Sequence, residues 1–330
     1  MERPATPAGP IGLILPTFPQ GTRQPDGWAR DGTDTLAELT ATCRAAERLG
    51  AGALWACDHL FWHGPTLECL TSLTLAAAST ERVSIGSCIL QLPLRDPAVV
   101  AKQVATTQTL SGGRFILGVG VGSHPEEYAQ ANVDYHRRGR ALDEGITELR
   151  RTWSSARESS PGAETGGSGL GAARPAYRQL PEPPPVPVWV GGSSEAARRR
   201  AARLGDGWMP LFVDTVRYRH DLERLADDAA AAGRADQVTP AMVLFVSVDD
   251  DPGIALRRGT RWMSSMYAIP AKAFERHLVS GTVDEVADVI ASYREAGAAH
   301  VALYVTDDHP LSQFEQLVGA LAASGVGARR

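Results

Sequence analysis

Short apolar runs alternate with helical stripes along most of this chain. Ile11 to Leu15, Ala53 to Cys57, Val83 to Leu90, Phe115 to Val119, Pro187 to Val190, Gly207 to Pro210, Ala241 to Val248 and Val301 to Val305 are such runs. They lack the polar alternation of a half-exposed sheet, which predicts strands buried on both faces. Between them the period changes. Leu36, Leu39, Cys43, Ala46 and Leu49 form a stripe ended by Gly50, with Thr35 and Glu38 as a capping box. Asp96 offers an N-cap and Pro97 a first-turn residue for a helix carrying Val100, Val104 and Thr107, stopped by Gly112 and Gly113. Leu142, Ile146, Leu149 and Trp153 recur at helical steps, and Thr282 with Glu285 caps a helix bearing Val286, Val289, Ile290 and Tyr293. Further helices are predicted over Leu67 to Ser79, up to Leu204, over Val216 to Ala232 and over Leu311 to Ala323.

Parallel strands need a crossover, and here each strand is followed by a helix. The count of eight such pairs predicts an α/β fold, a single (β/α)8 TIM barrel over residues 11–330 after a disordered tail at 1–10. Two stretches break the alternation. Residues 154–185, rich in Gly, Ser and Pro, read as a mobile insertion after the fourth strand, and 249–280 as an irregular or partly helical insertion after the seventh.

Composition narrows the function. With 43% hydrophobic and 22% charged residues and a formal net charge of -5, the chain has no basic stripe for nucleic acid. No apolar run reaches the length of a membrane span, and the N-terminal residues lack a signal-peptide core. Cys43, Cys57, Cys69 and Cys88 show neither paired nor zinc-like spacing, so reduced thiols in the cytoplasm are expected.

The polar and glycine-rich positions collect at the C-terminal ends of the strands, where barrels of this kind place their active sites. These are Thr17 and Phe18, Asp58 and His59, Cys88 to Gln91, Gly118 to His124, and Gly191 to Ser194. Gly118, Gly120 and Gly122 lack a Cβ, which admits either a flat ligand or a tightly packed barrel corner. Their spacing is not that of a dinucleotide fingerprint. Gly191, Gly192, Ser193 and Ser194 precede a helix, as a phosphate site or as ordinary N-capping. His59 is a candidate general acid or base with Asp58 beside it, although such a pair also occurs structurally. No metal is expected, because Cys57, His59 and His63 are too close in sequence and no distant cluster joins them, and no G-x-S-x-G elbow supports a hydrolase.

The stretches ALWACDHLFW, GSCILQLPLRDPAVVAKQVATTQTLSGGRFILGVGVGSHPEEY, RRGRALDEGITELRRTW and PVPVWVGGSSEAARRRAARLGDGWMP resemble the luciferase-like monooxygenase superfamily, in its branch using the deazaflavin coenzyme F420. The resemblance implies hydride transfer between F420 and a small organic substrate. It places Asp58, Cys88, Ile89, Gly118, Gly120, Gly122 and Ser123 around the ring, with a non-prolyl cis peptide at Cys88–Ile89, and Gly191 to Ser194 at the phosphate. Thr17, Phe18, Trp62, Gln91 and His124 are expected in the substrate pocket. One departure is Ser123, where sugar-phosphate dehydrogenases of this family carry a glutamate. Two alternatives stay open: an FMNH2-dependent monooxygenase of the luciferase-like type, and a flavin-binding barrel without turnover. A homodimer, and a flavin or F420 reductase supplying reduced cofactor, are the expected partners.

Overall fold

The computed structural model describes residues 7–18, 32–158, 182–307 and 310–325. In chain order its elements are β1 (Ile11–Ile14), α1 (Gly32–Arg48), β2 (Ala53–Ala56), α2 (Cys69–Ser79), β3 (Ser84–Ser87), β4 (Leu90–Gln91), α3 (Pro97–Leu110) and β5 (Phe115–Gly120). Then follow α4 (Pro125–Gln130), α5 (Arg138–Glu158), β6 (Val188–Gly191), α6 (Glu195–Leu204), β7 (Gly207–Met209), α7 (Thr215–Ala231) and β8 (Thr239–Val248). The last are α8 (Pro252–Tyr267), β9 (Leu278–Gly281), α9 (Val283–Glu295), β10 (His300–Val305) and α10 (Pro310–Ala323). Strands β1, β2, β3, β5, β6, β7, β8 and β10 pair in that order, all parallel, and β10 returns to β1. The barrel is closed.

The uniform apolarity of the strands hides a strict two-residue period. Leu13, Leu54, Ile85, Leu117 and Leu303 pack outward with the helices. Their chain neighbours Ile14, Trp55, Ile116 and Tyr304 belong to a second cluster inside the ring. Both sets are apolar because both faces of a barrel strand are covered. At the N-terminal end of β10 the interior closes on His300. Its Nε2 accepts from Trp55 Nε1 at 3.0 Å, so Nδ1 carries the proton and donates to the Gly9 carbonyl at 2.8 Å. Gly12 has to be glycine there, since a Cβ would stand 2.6 Å from His300 Nε2.

Asp96 caps α3 and Thr282 with Glu285 caps α9 as the sequence predicts. Helix α1 starts at Gly32, so Thr35 lies within it rather than at its cap, and Leu36 is solvent-exposed. Helix α5 continues to Glu158, into the stretch read as insertion, and 159–181 lie outside the described residues. The second insertion is more regular than its sequence suggests. It holds α8, capped by Asp251, and β9, which pairs in parallel with the C-terminal half of β8. Phe245 faces both Leu278 and Tyr304, so β9 flanks β8 on the side away from β10. Within the expected tail, Ala8 donates its backbone N–H to the Gly52 carbonyl and Pro10 O accepts from Val301. The barrel's hydrogen bonding therefore begins before Ile11.

Candidate active site

A cavity of about 370 Å³ opens at the C-terminal strand ends. Its polar corner is built from residues at or just past the ends of β2, β4 and β5: Asp58, His59, Gln91, Gly122, Ser123 and His124. The opposite wall is apolar and comes from β7, β8, β10 and α8.

His59 is held from several directions. Its Nδ1 lies 2.8 Å from Glu127 Oε2, and Trp62 packs over the ring at 3.8 Å between centroids, tilted by 32°, with Phe18 edge-on at 5.7 Å. Burial alone would raise the Glu127 carboxyl. Hydrogen bonds from His59, Gln91 Nε2 and the Phe61 amide instead hold it below the usual carboxylate range. An ionised Glu127 can only accept, so His59 Nδ1 carries a proton and Nε2 is the atom left for exchange. Gln91 fixes the geometry: its Nε2 hydrogens go to Asp58 O at 3.0 Å and Glu127 Oε2 at 3.0 Å. His124 meets His59 edge-on at 5.7 Å, and burial, together with the nearby His59, lowers it below its ordinary value. His124 is therefore a neutral imidazole at neutral pH.

Asp58 does not orient His59 through its carboxylate. Both of its oxygens are taken by Arg95, at 2.7 and 2.8 Å, and one also accepts from the Gln91 amide at 2.9 Å. Burial raises Asp58, while the Arg95 guanidinium and the Gln91 amide oppose that rise. The bidentate pair fastens the end of β2 to the turn before α3.

The peptide Cys88–Ile89 is cis and separates β3 from β4. Three glycines make room around it. A Cβ on Gly118 would stand 2.0 Å from the Ser87 carbonyl oxygen, one on Gly120 2.7 Å from the Ile89 side chain, and one on Gly191 2.5 Å from the same side chain. Gly118 and Gly120 do not border the cavity, and the packed-corner reading accounts for them. Gly122, with φ of +65°, does border it, beside the Gln91 amide oxygen.

The predicted site residues thus divide. Asp58, His59, Cys88, Ile89, Gln91, Gly122, Ser123, His124, Gly191 and Gly192 line the cavity. Thr17, Phe18 and Trp62 do not; Phe18 and Trp62 back His59, and Thr17 is buried with its backbone bonded to Leu15 and Leu67. Ser194 is the N-cap of α6, accepting from the Ala197 amide, and Ser193 is half-buried, its carbonyl accepting from Arg217 at 2.6 Å. Sequence reasoning missed Glu127, Arg95 and the apolar wall. The two acids of HPEEY at the mouth of the fourth strand were the available signal for Glu127. His59, His124 and Glu127 have ligand atoms within 4.8 Å of one another, a spacing that could hold a metal ion and that the sequence reading did not foresee. Here Glu127 and His59 satisfy each other.

The chain is similar to several known proteins. The family model described as luciferase-like monooxygenase matches residues 10–258. An F420-dependent glucose-6-phosphate dehydrogenase of Beutenbergia cavernae is 30% identical over 302 residues, covering 81% of this chain and 87% of the relative. One of Kineococcus radiotolerans is 29% identical over 294 residues, covering 78% and 84%. Among solved structures, an F420-dependent secondary alcohol dehydrogenase in complex with an F420-acetone adduct superposes with a TM-score of 0.75 at 20% identity, covering 95% of this chain and 99% of the other.

Proposed function

This chain belongs to the luciferase-like monooxygenase family, and on that premise we propose that it is an F420-dependent oxidoreductase that passes a hydride between the deazaflavin and a small organic substrate. The observation that carries the reading is His59. Glu127 commits its Nδ1, and the residue lines the same cavity as the Cys88–Ile89 peptide. The cavity also fits a deazaflavin. Gln91 is a lining residue whose buried Oε1 has no partner among the described residues, an acceptor suited to a ring imide N–H.

When bound, F420 supplies a ring carbon that accepts or gives a hydride. The residues of this chain do the rest. Cys88, Ile89 and Gly191 would support the ring, and the N-terminus of α6 with Arg217 nearby suits the phosphate. His59 Nε2 takes the hydroxyl proton as an alcohol becomes a carbonyl, or returns it in the reverse direction. Trp62 and Phe18 keep the imidazole in place and exclude water from behind it.

A reaction that consumes one redox state of F420 needs a second enzyme to restore it, so an F420 reductase or another F420-dependent oxidoreductase belongs to the cycle. The four cysteines are free thiols, in keeping with a reducing compartment such as the cytoplasm. No helix among the described residues is long and apolar enough to cross a membrane. The exposed Val99 and Leu110 on α3 are candidate contacts for a homodimer.

The test is isotopic. After anaerobic turnover with an alcohol deuterated at its carbinol carbon, mass spectrometry should find the deuterium on F420. Deuterium lost to solvent would exclude direct hydride transfer.

A further inference from the structure

The apolar wall of the cavity carries a buried phenol hydroxyl, that of Tyr304, whose neighbour in the fold is the Cys57 thiol. Phe245, Tyr267, Tyr304, Met209 and Met266 face the polar corner across the cavity. Tyr304 stacks on Phe245 with centroids 4.8 Å apart and meets Trp262 edge-on at 5.1 Å, so its ring is fixed. Its side chain is 2% exposed, yet the hydroxyl has no hydrogen-bond partner of normal geometry among the described residues. The Cys57 thiol lies beside it, and a thiol is a weak partner. Burial, with Cys57 and Tyr267 nearby, holds the phenol far above its ordinary range, so it remains a donor.

A buried hydroxyl without a partner is costly, and native structures retain such groups mainly where a ligand or water completes them. None of the described residues lining the cavity is Lys or Arg, and its ionisable members include Asp58, already paired with Arg95, and the two histidines. An anionic phosphate placed against the aromatic wall would be desolvated with no cation to meet it. A neutral ring would instead be buried against aromatic and thioether surface.

We propose that the substrate is an uncharged, ring-bearing alcohol or carbonyl compound lodged on this wall, with Tyr304 donating a hydrogen bond to its oxygen as the positioning residue. The inference rests on the oxidoreductase reading above and departs from the sugar phosphate named for the relatives. Ser123, where the resemblance expects a glutamate, agrees with that departure.

Calorimetric titration of the full chain with acetophenone and with glucose 6-phosphate, in the presence and absence of saturating F420, tests it together with Tyr304→Phe. Acetophenone should bind, glucose 6-phosphate should not compete, and Tyr304→Phe should weaken acetophenone about tenfold while leaving the F420 affinity unchanged. Removing a hydroxyl whose neighbour is only a thiol should leave the melting temperature close to that of the parent protein, so the variant will be folded. Displacement of acetophenone by glucose 6-phosphate, failure of acetophenone to bind, or equal affinity in Tyr304→Phe would each overturn the proposal. If F420 fails to bind while acetophenone binding still depends on Tyr304, the cofactor reading falls and the substrate class stands.

Discussion

With Glu127 held as a carboxylate, the Nδ1 proton of His59 is committed and Nε2 alone can exchange a proton in the cavity. His59→Ala should therefore lower turnover on the order of a hundredfold while F420 still binds. Glu127→Gln keeps the shape and removes the charge, and should cost between about tenfold and about a hundredfold in kcat with little change in KM. Steady-state kinetics on both variants checks this; a wild-type kcat in Glu127→Gln would make the pair merely structural. At this scale the sequence was half legible. His59 stands out because an imidazole at a strand end is conspicuous. Its carboxylate was assigned to the adjacent Asp58, yet the partner is 68 positions away, and it is the parallel pairing of β2 and β5 on either side of β3 that brings their ends to one rim. Asp58 had already been taken by Arg95, 37 positions on.

The unit around Cys88–Ile89 depends on absent side chains. Ile89 fills the space that Cβ atoms on Gly120 and Gly191 would occupy, so these three positions should be strongly coupled. Gly191→Ala should destabilise by about 1 to 3 kcal/mol through overpacking, and adding Ile89→Ala should restore part of it. Urea midpoints for the two single variants and the double variant give the coupling; strict additivity would contradict this packing. Gly118 has no such rescue, because it abuts the backbone of Ser87 rather than a flexible tip. Nearby, Arg95→Ala leaves the Asp58 carboxylate buried without its cation, and should lower stability by about 3 to 5 kcal/mol, read from the same urea titrations. A glycine run announces a close approach without saying what approaches. That is why the sequence left open the choice between ligand and packed corner, and why Ile89, an ordinary apolar residue, gave no warning of its place.

Across the whole molecule, strand order and closure were legible because the barrel strands are largely buried on both faces and alternate with helices. The apolar wall was not, since Tyr267 comes from a helix inside the second insertion and Tyr304 reads simply as core. Closure also sets a pH limit on the fold. His300 is buried, hydrogen-bonded as the neutral imidazole, and lowered by burial to about 4. The folded state therefore binds fewer protons than the unfolded one between its folded value and the ordinary 6.5, so stability is full above that window and falls as pH drops through it. The loss should reach about 3 kcal/mol. His300→Gln, which can still accept from Trp55 and donate to Gly9, should flatten that part of the stability curve; an unchanged slope would place the acid sensitivity elsewhere. The reading of the molecule as an F420 enzyme is tested most directly by paired fluorescence titrations with F420 and FMN, followed by oxygen-uptake measurement on whichever binds. The account predicts saturable F420 binding, much weaker FMN binding and no oxygen uptake. Tight binding of FMN with oxygen consumption when it is reduced, and no binding of F420, would contradict it.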